Sequence, residues 1–183
     1  MFPSYLENPR NCRFQGQDSD EVIILLLRAH PITNLSWIIP AVLVFLLPFF
    51  LPQLALYLGF NLFTSLPDTF LSSFLIINYL LVLVIVFEGF LGWYFNVNIL
   101  TNKKLVDIDF HSLLFSGMDI TLLASVQEAN PKVAGLMGVI FHFGDVMVQT
   151  AGARVEIDFP RVPNPNRVAD IIMDEAHKAQ GGS

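Results

Sequence analysis

Few side chains in this sequence have the type and spacing that chemistry requires, and Asp107 with Asp109 is the clearest pair. They lie two residues apart in a predicted strand and face the same way, as carboxylates that bind a metal ion or transfer protons can do. A solvated outer strand face is the more common origin of this pattern, and we adopt that interpretation. The histidines show no pair at helical spacing; they are His30, His111, His142 and His177.

The remaining signatures of catalysis are absent from the sequence. It has no phosphate-binding glycine loop and no nucleophile elbow, and its single cysteine, Cys12, permits neither an internal disulfide nor a zinc pattern. We therefore expect no enzyme activity, no cofactor, no bound metal, no small-molecule substrate and no nucleic acid partner.

Two polar residues, Asn78 and Glu88, interrupt the otherwise apolar segment 69–94. Asn78 lies near its centre and predicts a hydrogen bond to a neighbouring helix or to another copy of the chain. Glu88 lies near its end, and an ionisable residue in such a segment is a functional candidate. We favour a structural pair between Glu88 and either Arg28 or His30. Transport or intramembrane chemistry through Glu88 and Asn78 is the alternative.

The charge distribution predicts two membrane-spanning helices. Charged residues make up 14% of the chain, against a usual level of about 25%. Between Arg28 and Asp68, and again between Asp68 and Glu88, no Asp, Glu, Lys or Arg occurs. Each block exceeds the roughly 20 apolar residues that cross a bilayer. We therefore predict a transmembrane hairpin at 35–93, with helices at about 35–59 and 69–93.

The basic residues predict the orientation of this hairpin. Arg10, Arg13 and Arg28 precede the first helix, Lys103 and Lys104 follow the second, and the loop between the helices has none. The positive-inside rule then places both termini in the cytoplasm, as a multi-pass protein of the cell (inner) membrane. The first 20 residues lack the apolar stretch of a signal peptide.

The hydrophobic period changes to two after the second helix, which predicts strands. Phe95, Val97 and Ile99 alternate with Asn96 and Asn98, and a turn at Thr101–Lys104 leads to a second strand. Later segments alternate in the same way, with these residues predicted on inward or common faces: Val139, Phe141, Phe143; Val146, Val148, Thr150; Val155, Ile157, Phe159. The stretch 117–132 predicts two shorter strands.

An amphipathic helix is predicted at the end of the chain. Asn164 is a reasonable N-cap and Pro165 suits the first helical position, with Val168 and Ile172 at helical spacing. The fold class is thus a membrane α-helical hairpin plus a mostly-β, α+β domain of about seven antiparallel strands capped by a C-terminal helix. The predicted parts are a cytoplasmic segment at 1–34, the hairpin at 35–93 and the domain at 94–180.

This order of elements resembles the membrane-anchored bacterial PH-domain family, in which two transmembrane helices precede a pleckstrin-homology-like domain. The matching motifs span roughly residues 14–178 and are Glu21 with Arg28 and His30, the turn Thr101–Lys104, Gly144 with Asp145, and Pro163 with Pro165. The resemblance implies a PH-like fold and a membrane location. It implies no shared reaction.

The function that we expect is a non-enzymatic interaction or assembly module on the cytoplasmic membrane face, either as a homo-oligomer or docked onto a larger complex. The alternative is an anionic-lipid sensor that uses the basic residues Lys103 and Lys104. From residue 93 to the end the chain has seven basic and ten acidic residues, so an anionic leaflet would repel it. Sequence alone names no protein partner.

Overall fold

A computed structural model describes residues 4–9, 12–14, 16–60, 66–112, 115–133, 135–151 and 156–181. The chain divides into two compact units. One unit is a pair of long helices at Asn34–Leu91, and the other, here called the β-domain, combines Met1–Thr33 with Gly92–Ser183. The predicted inward residue Val155 and part of the predicted loop, 61–65, lie outside the described residues.

The helical unit contains α1, Leu35–Tyr57, and α2, Asp68–Phe95, whose last residues belong to the β-domain. Both helices are long and apolar enough to cross a membrane, with mean hydropathies of 2.2 and 2.6, and 6% of each apolar window is buried. A core helix of a soluble protein would be mostly buried, whereas the apolar surfaces of α1 and α2 are almost entirely exposed.

The two helices pack against each other through a close contact at Gly89. A Cβ atom on Gly89 would come within 2.4 Å of Trp37 Cγ, so only glycine fits there. Further along, the rings of Phe45 and Tyr79 are 5.5 Å apart. The contacts at 37 with 89 and at 45 with 79 run in opposite chain directions, which makes the helices antiparallel. Small residues and aromatic contacts of this kind let apolar helices associate closely.

The β-domain contains two antiparallel sheets. The first has the order β1-β2-β3-β4-β5 and the second the order β6-β7-β8. The bounds are β1 Tyr5–Glu7, β2 Ile23–Leu27, β3 Val97–Thr101, β4 Lys104–Ser112, β5 Phe115–Leu122, β6 Val126–Lys132, β7 Phe143–Thr150 and β8 Glu156–Pro163. Two further helices belong to this unit, α3 at Gly135–Phe141 and α4 at Pro165–Gly181.

The first sheet combines strands that precede α1 in the sequence with strands that follow α2. The sequence predicted strands only after the second helix, whereas β2, which precedes the first helix, pairs with β3 and carries the fully buried Leu25 and Leu27. The sequence of β2 is continuously apolar and does not alternate, because both faces of this strand are covered. Six described strands follow α2, and the hairpin of β3 and β4 with its turn after Thr101 confirms the prediction.

The main core lies between the two sheets and α4. It includes these fully or almost fully buried residues: Leu25, Leu27, Leu100, Leu105, Val146, Val148, Ile157, Phe159, Val162, Val168 and Ile172. The predicted C-terminal helix is confirmed, since Val168 and Ile172 face this core. A smaller cluster on the other face of the first sheet buries Ile23, Leu26, Ile99 and Val106. The first sheet is therefore apolar on both faces.

Two strand-level predictions were wrong, one for the strand through residues 139 and 141 and one for the solvated face of Asp107. Residues 139 and 141 belong to α3 rather than to a strand, His142 takes a left-handed φ of 54°, and β7 begins at Phe143. The pairing of Lys132 with Asp145 closes β6 onto β7 and leaves α3 outside the ladder between these two strands. Asn98 is buried, and so is Asp107, which was predicted to face solvent. They lie on the central strands β3 and β4, which have no solvated face at that position.

Candidate interaction site

The β-domain has two ends that differ in their connections. At the helix-linked end, β2 leaves towards Thr33 and β3 begins after Gly92, so the chain enters and leaves the helical unit there. At the distal end, β3 and β4 are joined by the turn that contains Asn102. The antiparallel pairing of Leu27 with Asn98 and of Ile23 with Thr101 defines these two ends.

A polar cluster at the distal end holds the N-terminal segment onto the hairpin of β3 and β4. Glu21 is 4% exposed, and its Oε1 accepts a hydrogen bond of 2.6 Å from Thr101 Oγ1. Its Oε2 accepts one of 3.0 Å from the backbone N–H of Asp18. Thr101 Oγ1 in turn accepts from the backbone N–H groups of Lys103 and Lys104, at 3.1 and 2.8 Å. A buried carboxylate is tolerated here because both of its oxygens have partners.

The two lysines that were candidates for lipid contact have carboxylate partners in this cluster. Lys103 Nζ lies 2.6 Å from Asp20 Oδ2, and Lys104 Nζ lies 2.8 Å from Asp18 Oδ2. Lys104 Nζ also lies 3.4 Å from Oε2 of the buried Glu21. The hydrogen bonds to Asp20 and Asp18 raise the pKa of Lys103 and Lys104, respectively. The lysine side chains therefore link residues 18–21 to the turn, and a lipid phosphate would have to compete with carboxylates.

Aromatic and basic side chains gather at the helix-linked end. The guanidinium of Arg28 lies 4.8 Å from the ring centre of Tyr94, a cation–π distance. Trp93 Nε1 donates to the carbonyl of Ala29 at 2.8 Å. The His30 ring stacks on Phe143 with centroids 5.5 Å apart. Burial lowers the pKa of His30. These residue types are those that proteins place at membrane–water interfaces.

The predicted polar residues of the helical unit differ in their surroundings. Asn78 is 6% exposed, and its Oδ1 has no hydrogen-bond partner among the described residues. Glu88 is exposed on α2. The predicted pair of Glu88 with Arg28 or His30 would join the two units, and it stays a prediction.

The acidic residues of β4 do not form a solvated row. Asp107 is 8% exposed and Asp109 is half-buried. Asp107 pairs in register with Asn98 on β3 and with Asp119 on β5, which builds a polar row across three strands on the core side of the sheet. Among the described residues, no group of three or more His, Cys, Asp or Glu side chains could hold a metal ion.

A cavity of about 610 Å³ lies between α3 and the start of α4. Its polar lining comes from His142, Asn164, Asn166 and Arg167. Arg167 is paired with Glu7 at 2.7 Å, and the described residues that line the cavity include no carboxylate or nucleophile that would act with His142. This arrangement offers no general acid–base pair.

An apolar stripe on β5 is the surface that the sequence interpretation missed. Met118, Ile120 and Leu122 are 40, 48 and 62% exposed and share one face of an edge strand. They continue the apolar outer face of the sheet, since Ile120 pairs with the fully buried Val106. Their period-two spacing signals a strand, but it does not reveal that the strand lies at an edge with its apolar face uncovered. Long, apolar edge strands are the part of a sheet most ready to pair with another chain.

Comparison of the chain with family models, with curated proteins and with solved structures finds no match.

Proposed function

We propose that this chain is a non-enzymatic membrane-tethered interaction module, in which α1 and α2 form a transmembrane hairpin and the β-domain is PH-like and cytoplasmic. The observation that carries the proposal is the uncovered apolar stripe of Met118, Ile120 and Leu122 on the edge strand β5. The partner surface that fits it is a further strand with apolar residues at alternate positions, contributed by a neighbouring membrane protein or by another copy. Strand addition of this kind combines backbone hydrogen bonds with side-chain contacts.

The anionic-lipid alternative has less support, because Lys103 and Lys104 are paired with Asp20 and Asp18 at the distal end. The transport alternative depends on Glu88 and Asn78. It predicts an ion flux that Glu88→Ala abolishes while the thermal stability in detergent stays unchanged.

The interaction is tested by introducing positive charges into the stripe in the full-length chain. Met118→Lys with Ile120→Lys should release the chain from its assembly in mild detergent, because two charges cannot be buried in a strand-pairing interface without partners. The matched control is Asp170→Lys, which alters an exposed position of α4. The measurement is native mass spectrometry, which also distinguishes a homo-oligomer from a mixed complex. An assembly of unchanged mass in the double variant would refute the role of β5.

The orientation is tested separately with a reporter fused after Ser183. A cytoplasmic reporter should be active and a periplasmic one inactive. Cleavage of the β-domain by protease added outside intact cells would contradict the proposed topology.

A further inference from the structure

A second uncovered apolar surface lies on α3 and plays no part in the proposed strand pairing. Leu136, Val139 and Ile140 are 82, 63 and 62% exposed, and Met137 and Phe141 are also exposed. The segment 133–144 contains no Asp, Glu, Lys or Arg. A helix of a soluble domain normally turns one face to the core and presents polar residues to water. Here the helix presents its large apolar side chains outward, so water is not its natural solvent.

The position of α3 in the β-domain is set by contacts at the helix-linked end. The strand β7 begins at Phe143, two residues after α3 ends, and Phe143 stacks on His30. The backbone N–H of His30 donates to the carbonyl of Arg161 on β8 at 2.8 Å. Since His30 lies three residues before Thr33, where the chain leaves the β-domain, α3 belongs to the helix-linked end of this domain.

Two glycines allow α3 to fold against the start of β7. Gly135 has a φ of 74°, which an L side chain rarely adopts. A Cβ atom on Gly138 would come within 2.9 Å of the carbonyl oxygen of Phe143. The helix is therefore held closely by the backbone beneath it while its apolar side chains point outward.

We propose that α3 is an interfacial membrane anchor, which inserts Leu136, Val139 and Ile140 into the headgroup–acyl boundary of the bilayer from which the chain emerges. A lipid surface fits better than a protein because α3 lies at the tethered end of the domain, the end that also carries Trp93 and Tyr94, residue types typical of the membrane interface. The tether keeps α3 at a high effective concentration near the lipid, so one short helix is sufficient for insertion. The function of the anchor is to fix the β-domain at the membrane surface and thereby orient β5.

This inference rests on the proposed membrane hairpin, and the experiment separates the two. A full-length Cys12→Ser chain, in which the exposed and only cysteine is removed, is reconstituted into phosphatidylcholine nanodiscs. Single cysteines labelled with an environment-sensitive fluorophore are then placed at Leu136 or Ile140. The matched control is Ala124→Cys, an exposed position at the distal end, and Leu83→Cys on α2 is the membrane control.

The expected result is that the labels at 136 and 140 are quenched by lipids brominated near the headgroup and are protected from aqueous iodide. The label at 124 should show the reverse, and the label at 83 should be quenched by bromines deeper in the acyl chain.

Iodide access to both α3 labels would overturn the anchor while leaving the hairpin intact. Protection from iodide without quenching by bromine would also overturn it, because a protein would then cover α3. A label at 83 that no brominated lipid quenches would refute the membrane hairpin itself. The labelled positions are all exposed, so the substitutions remove no core contact.

Discussion

Removal of the Thr101 hydroxyl should release the N-terminal strands β1 and β2 from the hairpin of β3 and β4. Thr101 is fully buried, and its Oγ1 donates to Glu21 Oε1 at 2.6 Å, across 80 residues of sequence. Thr101→Val keeps the shape of the side chain but leaves a buried carboxylate oxygen without this donor. A hydrogen bond to a charged group contributes about 1.5–3 kcal/mol, and the turn N–H groups of Lys103 and Lys104 lose an acceptor as well. We expect the opening free energy of β2 to fall by about 2–4 kcal/mol.

The measurement is amide hydrogen exchange of the full-length chain in nanodiscs, with peptides that cover β2 and β3. A loss of this size corresponds to a roughly 30- to 1,000-fold faster exchange of β2, because each 1.4 kcal/mol is a factor of ten. Thr101→Ser retains the hydroxyl and should lose only about 1 kcal/mol, from one methyl group. Asp20→Asn breaks the exposed pair with Lys103 and should leave exchange unchanged. A Val variant whose β2 exchanges no faster than that of the Ser variant would refute the reasoning, since packing of the methyl group rather than the hydrogen bond would then hold Thr101.

Three further predictions concern other parts of the molecule. Gly89→Ala should destabilise the helix pair by about 1–3 kcal/mol through steric overlap with Trp37. Gly92→Ala is the control and should not destabilise it, because the space around its Cβ position is open. Thermal unfolding in detergent compares the two variants, and equal midpoints would contradict the packing at Gly89. Burial lowers the pKa of His30, so below its unfolded pKa of about 6.5 the unfolded state binds the proton more readily. Stability should therefore fall as the pH decreases below about 6.5, and His30→Phe should reduce this slope; an unchanged slope would exclude His30 as its source. Lys103→Ala with Lys104→Ala should leave the distance of the β-domain from phosphatidylserine nanodiscs, measured by energy transfer to a lipid dye, unchanged at any salt concentration; a salt-sensitive shift that these lysines control would favour lipid sensing.

Local patterns were sufficient for the elements whose stability depends on near neighbours. The uncharged blocks predicted α1 and α2, because a long helix satisfies its own backbone and needs only apolar side chains. The hairpin around Asn102 and the helix that begins at Pro165 were predicted for a similar reason, since turn and cap preferences are set within a few residues. Of the two candidate lysines, Lys103 lies in that turn and Lys104 is the first residue of β4.

Long-range pairing determined what these patterns could not show. The sequence of β2 is continuously apolar, so it shows no alternation that would identify a strand. Only its pairing with β3, which follows the two long helices in the sequence, makes β2 a central strand. The same pairing buries Asn98, which an alternating pattern places in water. Glu21 likewise has no local signal, because its partner Thr101 is 80 residues away.

The two uncovered apolar surfaces also depend on the tertiary structure. The period of Met118, Ile120 and Leu122 shows that they share a face, and the apolar composition of 135–141 shows only that the segment avoids water. Whether such a surface is buried depends on two features of the fold. These are which strand forms the edge of the sheet, and at which end of the domain the helix lies. Those facts follow from the order of strands in the folded sheets, since hydrogen-bond partners and neighbouring faces are set by contacts between residues distant in the chain.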